Sequence, residues 1–186
     1  LKELDTEVYG GFGHLSSERY DLEFQHNYAI TDTLRGAWGV GIRYDALTTD
    51  HPHSDSQDID ELNARLYNHN EWRLRDDLTL NLGYMIEDTP VGTLVSPRLS
   101  ANFQPRHNHA FRVAYARGNR APSLLEANEN TVARVGDVVF DILRIADPGL
   151  DEETVDSYEL AYMYQSSSPG LSFDIRLFRE EIRNVI

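Results

Sequence analysis

Cysteine is absent from the 186 residues. That removes disulfides, thiolate zinc sites and cysteine nucleophiles, and it leaves the compartment open. No run approaches the roughly 18 uncharged apolar residues that a membrane-spanning helix needs. An apolar content of 40% and a mean hydropathy of −0.50 argue the same way. Positive charge is scarce: 17 Lys and Arg stand against 31 Asp and Glu, for a net charge of −14. With no basic stripe to offset it, this argues against nucleic acid as a partner. The opening Leu1-Lys2-Glu3-Leu4-Asp5 is too charged for the apolar segment of a signal peptide. Internal repeats and low-complexity segments are lacking too. Ser, His and Asp occur at no catalytic spacing, so a non-enzyme without a cofactor is expected.

What is present is alternation. Phe111, Val113 and Tyr115 share one side of a strand, with Arg112, Ala114 and Ala116 on the other. The same two-sided pattern recurs through the chain. Tyr20, Leu22, Phe24, His26, Tyr28 and Ile30 oppose Asp21, Glu23, Gln25 and Asn27. Leu34, Trp38, Val40, Ile42 and Tyr44 oppose Arg35, Ala37, Gly39, Gly41 and Arg43. Residues 61–74 repeat it, with Asn68 and Asn70 interrupting the apolar side, and so do 78–86, 98–104, 154–165 and 171–177. A weaker strand covers 3–9. About nine strands and no amphipathic helix are predicted.

The connections alternate in length. Short turns at 31–33, 75–77, 105–108 and 166–170 interleave with longer connections at 10–19, 46–60, 87–94 and 118–153. Within the last, Val135 to Ile145 is apolar enough for a hairpin or short helix of its own. Sorted loops, one polar face and aromatics near strand ends (Tyr28, Tyr44, Trp72, Tyr84, Tyr164) favour an outer-membrane barrel. Two alternatives stand beside it: a small self-contained barrel with a structural or adhesion role, and a soluble carbohydrate-binding sandwich.

Several motifs resemble one family, the TonB-dependent outer-membrane receptors. Tyr115-Ala116-Arg117-Gly118-Asn119-Arg120-Ala121-Pro122-Ser123-Leu124-Leu125-Glu126 resembles the box that marks a strand leaving the membrane for an extracellular loop. Ser96-Pro97-Arg98-Leu99 is similar to the start of a preceding strand. Asp147-Pro148-Gly149-Leu150, Glu152-Glu153-Thr154 and Ser157-Tyr158-Glu159-Leu160 resemble the family's Asn-Pro-x-Leu, Pro-Glu-Thr and Ser-Tyr-Glu-Leu, with Asp in place of Asn. Leu177-Phe178 with Ile182 and Ile186 is similar to the ending of the next strand.

The resemblance implies an all-β fold, an antiparallel up-and-down meander forming part of a transmembrane barrel of about 22 strands with a plugged lumen. Residues 1–186 are read as a partial barrel from its middle-to-late region, without the plug domain. It further implies location in the outer membrane of a Gram-negative cell and contact with outer-membrane lipid. The implied role is uptake of a ferric siderophore or similar scarce nutrient, energised by the TonB complex through the plug.

Two stretches offer candidate sites. Asp50, His51, His53, Asp55 and Asp58 crowd one loop, and His51, His53 and Asp55 are of the types that hold a transition metal. A solvated polar loop is the ordinary reading of these residues, and a metal site is the alternative to it. The long segment after Gly118 supplies Arg120, Glu126, Arg134, Asp137 and Arg144 as candidate contacts for a ferric chelate; a surface loop with no ligand is the alternative. Arg35, Arg43, Arg98, Arg112 and Arg176 on the polar faces are expected to form cross-strand ion pairs, with Glu23, Glu159 or Asp174 as partners, before they meet a ligand. His26 is expected to pack at a rim.

Overall fold

The computed structural model describes the backbone of residues 2–10, 13–50, 58–128, 131–135, 138–144, 149–166 and 170–186. In chain order the elements are β1 (Lys2–Gly10), β2 (Gly13–Thr31), β3 (Leu34–Asp50), β4 (Asp58–Arg75), β5 (Leu78–Thr89), β6 (Gly92–Arg106) and β7 (His109–Arg120). They continue with α1 (Leu124–Asn128), β8 (Thr131–Val135), β9 (Val138–Arg144), β10 (Glu153–Gln165) and β11 (Ser172–Arg183). Nine of the strands make one antiparallel sheet in the order β1-β2-β3-β4-β5-β6-β7-β10-β11, and β8 and β9 pair separately as a hairpin.

Residues paired across a ladder share a face, so the register sorts the side chains. One face carries Leu22, Phe24, Val40, Ile42, Leu66, Leu82, Leu99, Val113, Leu160 and Leu177. It is uncovered: Leu22 is 59% exposed and Phe24 58%. Among the described residues the buried apolar side chains are Leu47, Leu94 and Ala161, all on the opposite face, while Asp45, Asn63, Thr154 and Asp156 are buried polar groups. A soluble sandwich would hide its apolar face against a second sheet. Here that face points outward, as it does around a lumen in lipid.

The strands are staggered. One row of directly opposed residues runs Tyr28, Gly36, Asn70, Leu82, Leu99, Tyr115, Tyr158, Arg179. It starts beside the β2–β3 turn and ends beside the opposite rim, so the strands tilt against the ladder direction as barrel closure requires.

The rim of short turns is stitched by the backbone. Arg73 N–H donates to Thr33 O at 2.8 Å, Gln104 N–H to Asp77 O at 2.7 Å, and Gln165 N–H to Asn108 O at 3.0 Å. Rings gather there as well: His109, Tyr162, Tyr164, Phe111 and Phe173 form successive ring contacts with centroids 5.0–6.1 Å apart. His26 packs edge-on against Trp38.

At the other rim the strands outrun the sequence reading. β2, β3 and β4 have 19, 17 and 18 residues, beyond the roughly 9–11 needed to cross a bilayer. The connection expected over 10–19 is strand from Gly13 onward. The one expected over 87–94 is a tight turn at Pro90-Val91, closed by Thr89 Oγ1 donating to Gly92 O at 2.8 Å, with Gly92 at a φ of 124°. Strand also continues to Asp50 and resumes at Asp58 within 46–60, and 118–153 contains the end of β7, α1 and the β8–β9 hairpin. Past the uncovered apolar band the residues on both faces are largely polar, so no apolar face is marked and alternation disappears while the ladder continues.

Candidate functional site at the exit of strand β7

The segment Tyr115 to Glu126 forms a junction in which each polar side chain has a distinct tie. Facing outward, Arg117 lies opposite Asp156 in the ladder; its Nε and Nη2 donate to Asp156 Oδ1 and Oδ2 at 2.8 and 3.0 Å. Tyr115 Oη donates to the same carboxylate at 2.8 Å, and Arg183 Nη2 lies 3.0 Å from it. Asp156 is 1% exposed. A carboxylate in an apolar column is tolerated because three donors surround it.

One step along, the β6–β7 ladder ends at Arg98 and Ala116, next to Pro97, which has no N–H to give. The Asn119 side chain takes over. Its Nδ2 donates to Val95 O and Ser96 Oγ, both at 2.9 Å, and its Oδ1 accepts from Thr154 Oγ1 at 3.1 Å. The Ser96-Pro97-Arg98, Arg117-to-Glu126 and Glu153-Thr154 motifs therefore meet at one place.

Ser123 then caps α1. Glu126 N–H donates to Ser123 Oγ at 3.3 Å, while Ser123 N–H and Oγ donate to Glu126 Oε2 at 2.8 and 2.9 Å. This is a reciprocal capping box. The Ser123 backbone N–H, and after it the Arg120 guanidinium and the Ser123 hydroxyl, hold the Glu126 carboxyl below the usual carboxylate range against the opposing effect of partial burial. Arg120 Nη1 lies 2.9 Å from Glu126 and its Nη2 3.6 Å from Glu153, tying the loop's first turn to the start of β10.

Ala121 to Leu124 fold over the inner face. They line a recess of about 430 Å³ together with Arg19, Arg43, Asp45, Glu61, Glu87 and the buried Leu47 and Leu94. Its walls come from β2 through β7, and the exit segment leans over the mouth. Two of its arginines share one carboxylate: Arg19 Nε lies 2.5 Å from Asp45, and Arg43 Nε 2.9 Å from it.

Of the candidate contacts, the structure brings Arg120 and Glu126 together, with each other. Arg134 lies on β8 and Arg144 ends β9; their side chains, and all of Asp137, His51, His53 and Asp55, fall outside the described residues. Among the described residues no three His, Asp or Glu side chains group closely enough to hold a metal ion. Of the five arginines expected to pair, Arg35 lies 2.7 Å from Glu71, Arg43 2.9 Å from Asp45, Arg112 3.1 Å from Glu159 and Arg176 2.8 Å from its strand neighbour Asp174, while Arg98 forms no ion pair among the described residues. Glu23 pairs instead with Arg65, at 2.8 Å. Sequence reasoning missed the Asp156 cluster and the cap. Both had signals: Asp156 and Arg117 each sit in an apolar column, and Ser-x-x-Glu follows a proline.

The sequence pattern described as TonB dependent receptor-like, beta-barrel matches residues 3–186. No curated protein matches at the sequence level. Among solved structures, the siderophore receptor PirA of Pseudomonas aeruginosa is 21% identical, with a TM-score of 0.79 over 96% of this chain and 34% of its own. A mutant of the ferric enterobactin receptor PfeA from the same organism, in complex with enterobactin, is 19% identical, with a TM-score of 0.72 over 92% of this chain and 28% of its own. The FrpB iron transporter of Neisseria meningitidis is 14% identical, with a TM-score of 0.65 over 93% of this chain and 29% of its own. The chain spans about a third or less of these structures. With nearly its whole length matched and its motifs joined in one junction, the chain belongs to the TonB-dependent receptor β-barrel family.

Proposed function

We propose that this chain is the part of an outer-membrane receptor that forms one wall of the barrel and the mouth above it, in a protein that takes up a ferric siderophore or similar chelate. The observation that carries the reading is the sidedness of the sheet. Its apolar face is uncovered, and its polar face carries a charged recess with the β7 exit segment folded over it. Such a wall separates lipid from a wet lumen. The similar structures named for siderophore, enterobactin and iron transport support the choice of cargo.

In this reading Arg120, Glu126, Arg134, Asp137 and Arg144 belong to the mouth, where the chelate is first met. Arg120 and Glu126 act by fixing the loop's first turn, because they are committed to each other. TonB would act through a plug domain, and the location would be the outer membrane of a Gram-negative cell.

The test is binding of radio-iron chelates of catecholate, hydroxamate and mixed types to cells producing the receptor that contains these strands, with and without TonB. Saturable binding of one class, followed by TonB-dependent uptake, is expected. Absence of binding for every iron chelate would overturn the cargo assignment.

A further inference from the structure

Midway along the polar face, Gly83 of β5 stands between His69 of β4 and Arg98 of β6, directly opposite each in the ladders. The His69 ring leans over the glycine: its Nδ1 would lie 3.1 Å from a Cβ placed there. The backbones of His69 and Arg98 are two strand spacings apart, about 10 Å, with only the glycine between them. Arg43, Arg65 and Arg112 on the same face each hold a carboxylate. Arg98 holds none, and the register explains why. The positions directly and diagonally opposite it are Asn81, Gly83 and Met85 on β5 and Ala114, Ala116 and Gly118 on β7. Glu71, next along the inner side of β4, is taken by Arg35 at 2.7 Å. Neither Arg98 nor His69 has a side-chain partner among the described residues, and both are exposed. Two nitrogen donors, one permanently charged, thus face a notch whose floor carries no side chain. Gly83 lies four residues along β5 from Glu87, which lines the recess, so the notch is about 13 Å below the mouth.

We propose that this notch is a second, deeper station for the cargo, where Arg98 and His69 take an anionic oxygen group of the chelate, catecholate or carboxylate, after it has left the mouth. This rests on the reading that the polar face lines the lumen of an iron-chelate receptor. A guanidinium meets two adjacent oxygens in one plane, and its charge favours an anion over an uncharged chelate of the same size. The missing side chain at position 83 lets such a group approach the backbone between the two donors.

The receptor that contains these strands is produced in iron-starved cells and given radio-iron held by a hexadentate tris-catecholate, a trianion, or by an uncharged hexadentate tris-hydroxamate. Binding is measured in the cold and TonB-dependent uptake on warming, as a rate per bound chelate. For the anionic chelate, Arg98→Gln is expected to lower that rate about tenfold with binding in the cold unchanged, the loss of one charge-assisted contact. Arg98→Lys, which keeps the charge, should retain most of the rate, and Gly83→Ala, whose methyl group enters the notch, should lose part of it. Arg35→Gln removes a charge already held by Glu71 and should leave the rate as in wild type. An unchanged rate in Arg98→Gln overturns the site and leaves the uptake reading standing, and so does uptake of the uncharged chelate alone. Increased entry of a large antibiotic in Arg98→Gln, with chelate uptake unchanged, also overturns it and assigns Arg98 to a carboxylate of protein packed in the lumen. Binding of neither chelate overturns the site together with the iron-chelate reading beneath it.

Discussion

The Tyr67 ring of β4 covers Gly39 of β3, and its hydroxyl reaches past that strand to Gln25 Oε1 at 2.9 Å and Glu23 Oε1 at 3.2 Å on β2. Arg65 makes the same crossing over Gly41, to Glu23 at 2.8 Å and Asp21 at 3.2 Å. Three strands are thereby clasped on the inner face, and only glycine leaves room for the crossing. A Cβ at position 39 would overlap the Tyr67 ring and stand 2.7 Å from the Phe24 carbonyl oxygen. Gly39→Ala should cost about 1–3 kcal/mol through overpacking. The urea midpoint of the micelle-folded chain measures it, and Tyr67→Ala in the same background should recover part of the loss. An unchanged midpoint in Gly39→Ala would show that the strands adjust freely.

The outward face has its own crossing. Tyr28 Oη passes over Gly36 to donate to Asn70 Oδ1 at 2.5 Å and accepts from Asn68 Nδ2 at 3.0 Å, while Asn70 donates to Asn68. Two amides thus sit in an outward, otherwise apolar column because they satisfy each other. Tyr28→Phe should destabilise by about 1–3 kcal/mol, the cost of leaving polar groups unpaired. Adding Asn68→Leu and Asn70→Leu should restore most of that, since removing every partner removes the penalty. The triple variant's midpoint against that of the single decides it.

Asp156 carries the strongest prediction at the exit junction. Asp156→Ala would leave Arg117 in an apolar column without a counter-charge and Arg183 with only its longer contact to Glu181. Thermal unfolding of the micelle-folded chain should fall further for Asp156→Ala than for Asp156→Asn, which keeps an acceptor. Arg117→Lys should not rescue, because an ammonium cannot make the two-point contact. Equal unfolding temperatures for the three variants and wild type would show the cluster to be idle.

The α1 cap has a pH signature. Because the folded state holds the Glu126 carboxyl below its ordinary range, the cap's contribution is fully present above the unfolded value and is lost as pH falls through the lowered folded value. Amide exchange at Glu126 and Ala127 should stay slow as pH drops past the usual glutamate range, then quicken. Ser123→Ala should cost the helix about 0.5–2 kcal/mol and shift that quickening upward in pH. Exchange that quickens at the ordinary glutamate pKa would contradict the cap.

Much of the sheet is legible in the residues, and the limits are physical. Where one face is apolar and the other polar, as for residues 20–30, a single strand announces both faces. Where both faces are polar, as for 13–19, no face is marked, and a strand reads as a loop. The junction was legible as a set of motifs but not as a contact: nothing local says that Asn119 bridges Ser96 and Thr154, because that meeting is set by register between three strands. Asp156 was hidden for a related reason. Its partner lies across a ladder, 39 residues away in sequence.

The central claim is that the even-numbered side chains of β2 face lipid and the odd-numbered face the lumen. The absence of cysteine makes it directly measurable. Single cysteines at positions 20–28, spin-labelled after insertion into bilayers, should alternate with a period of two. Labels at 22 and 24 should be relaxed by oxygen dissolved in lipid, and those at 23 and 25 by a water-soluble nickel chelate. The opposite phase, or equal access of the nickel chelate to every position, would contradict the account.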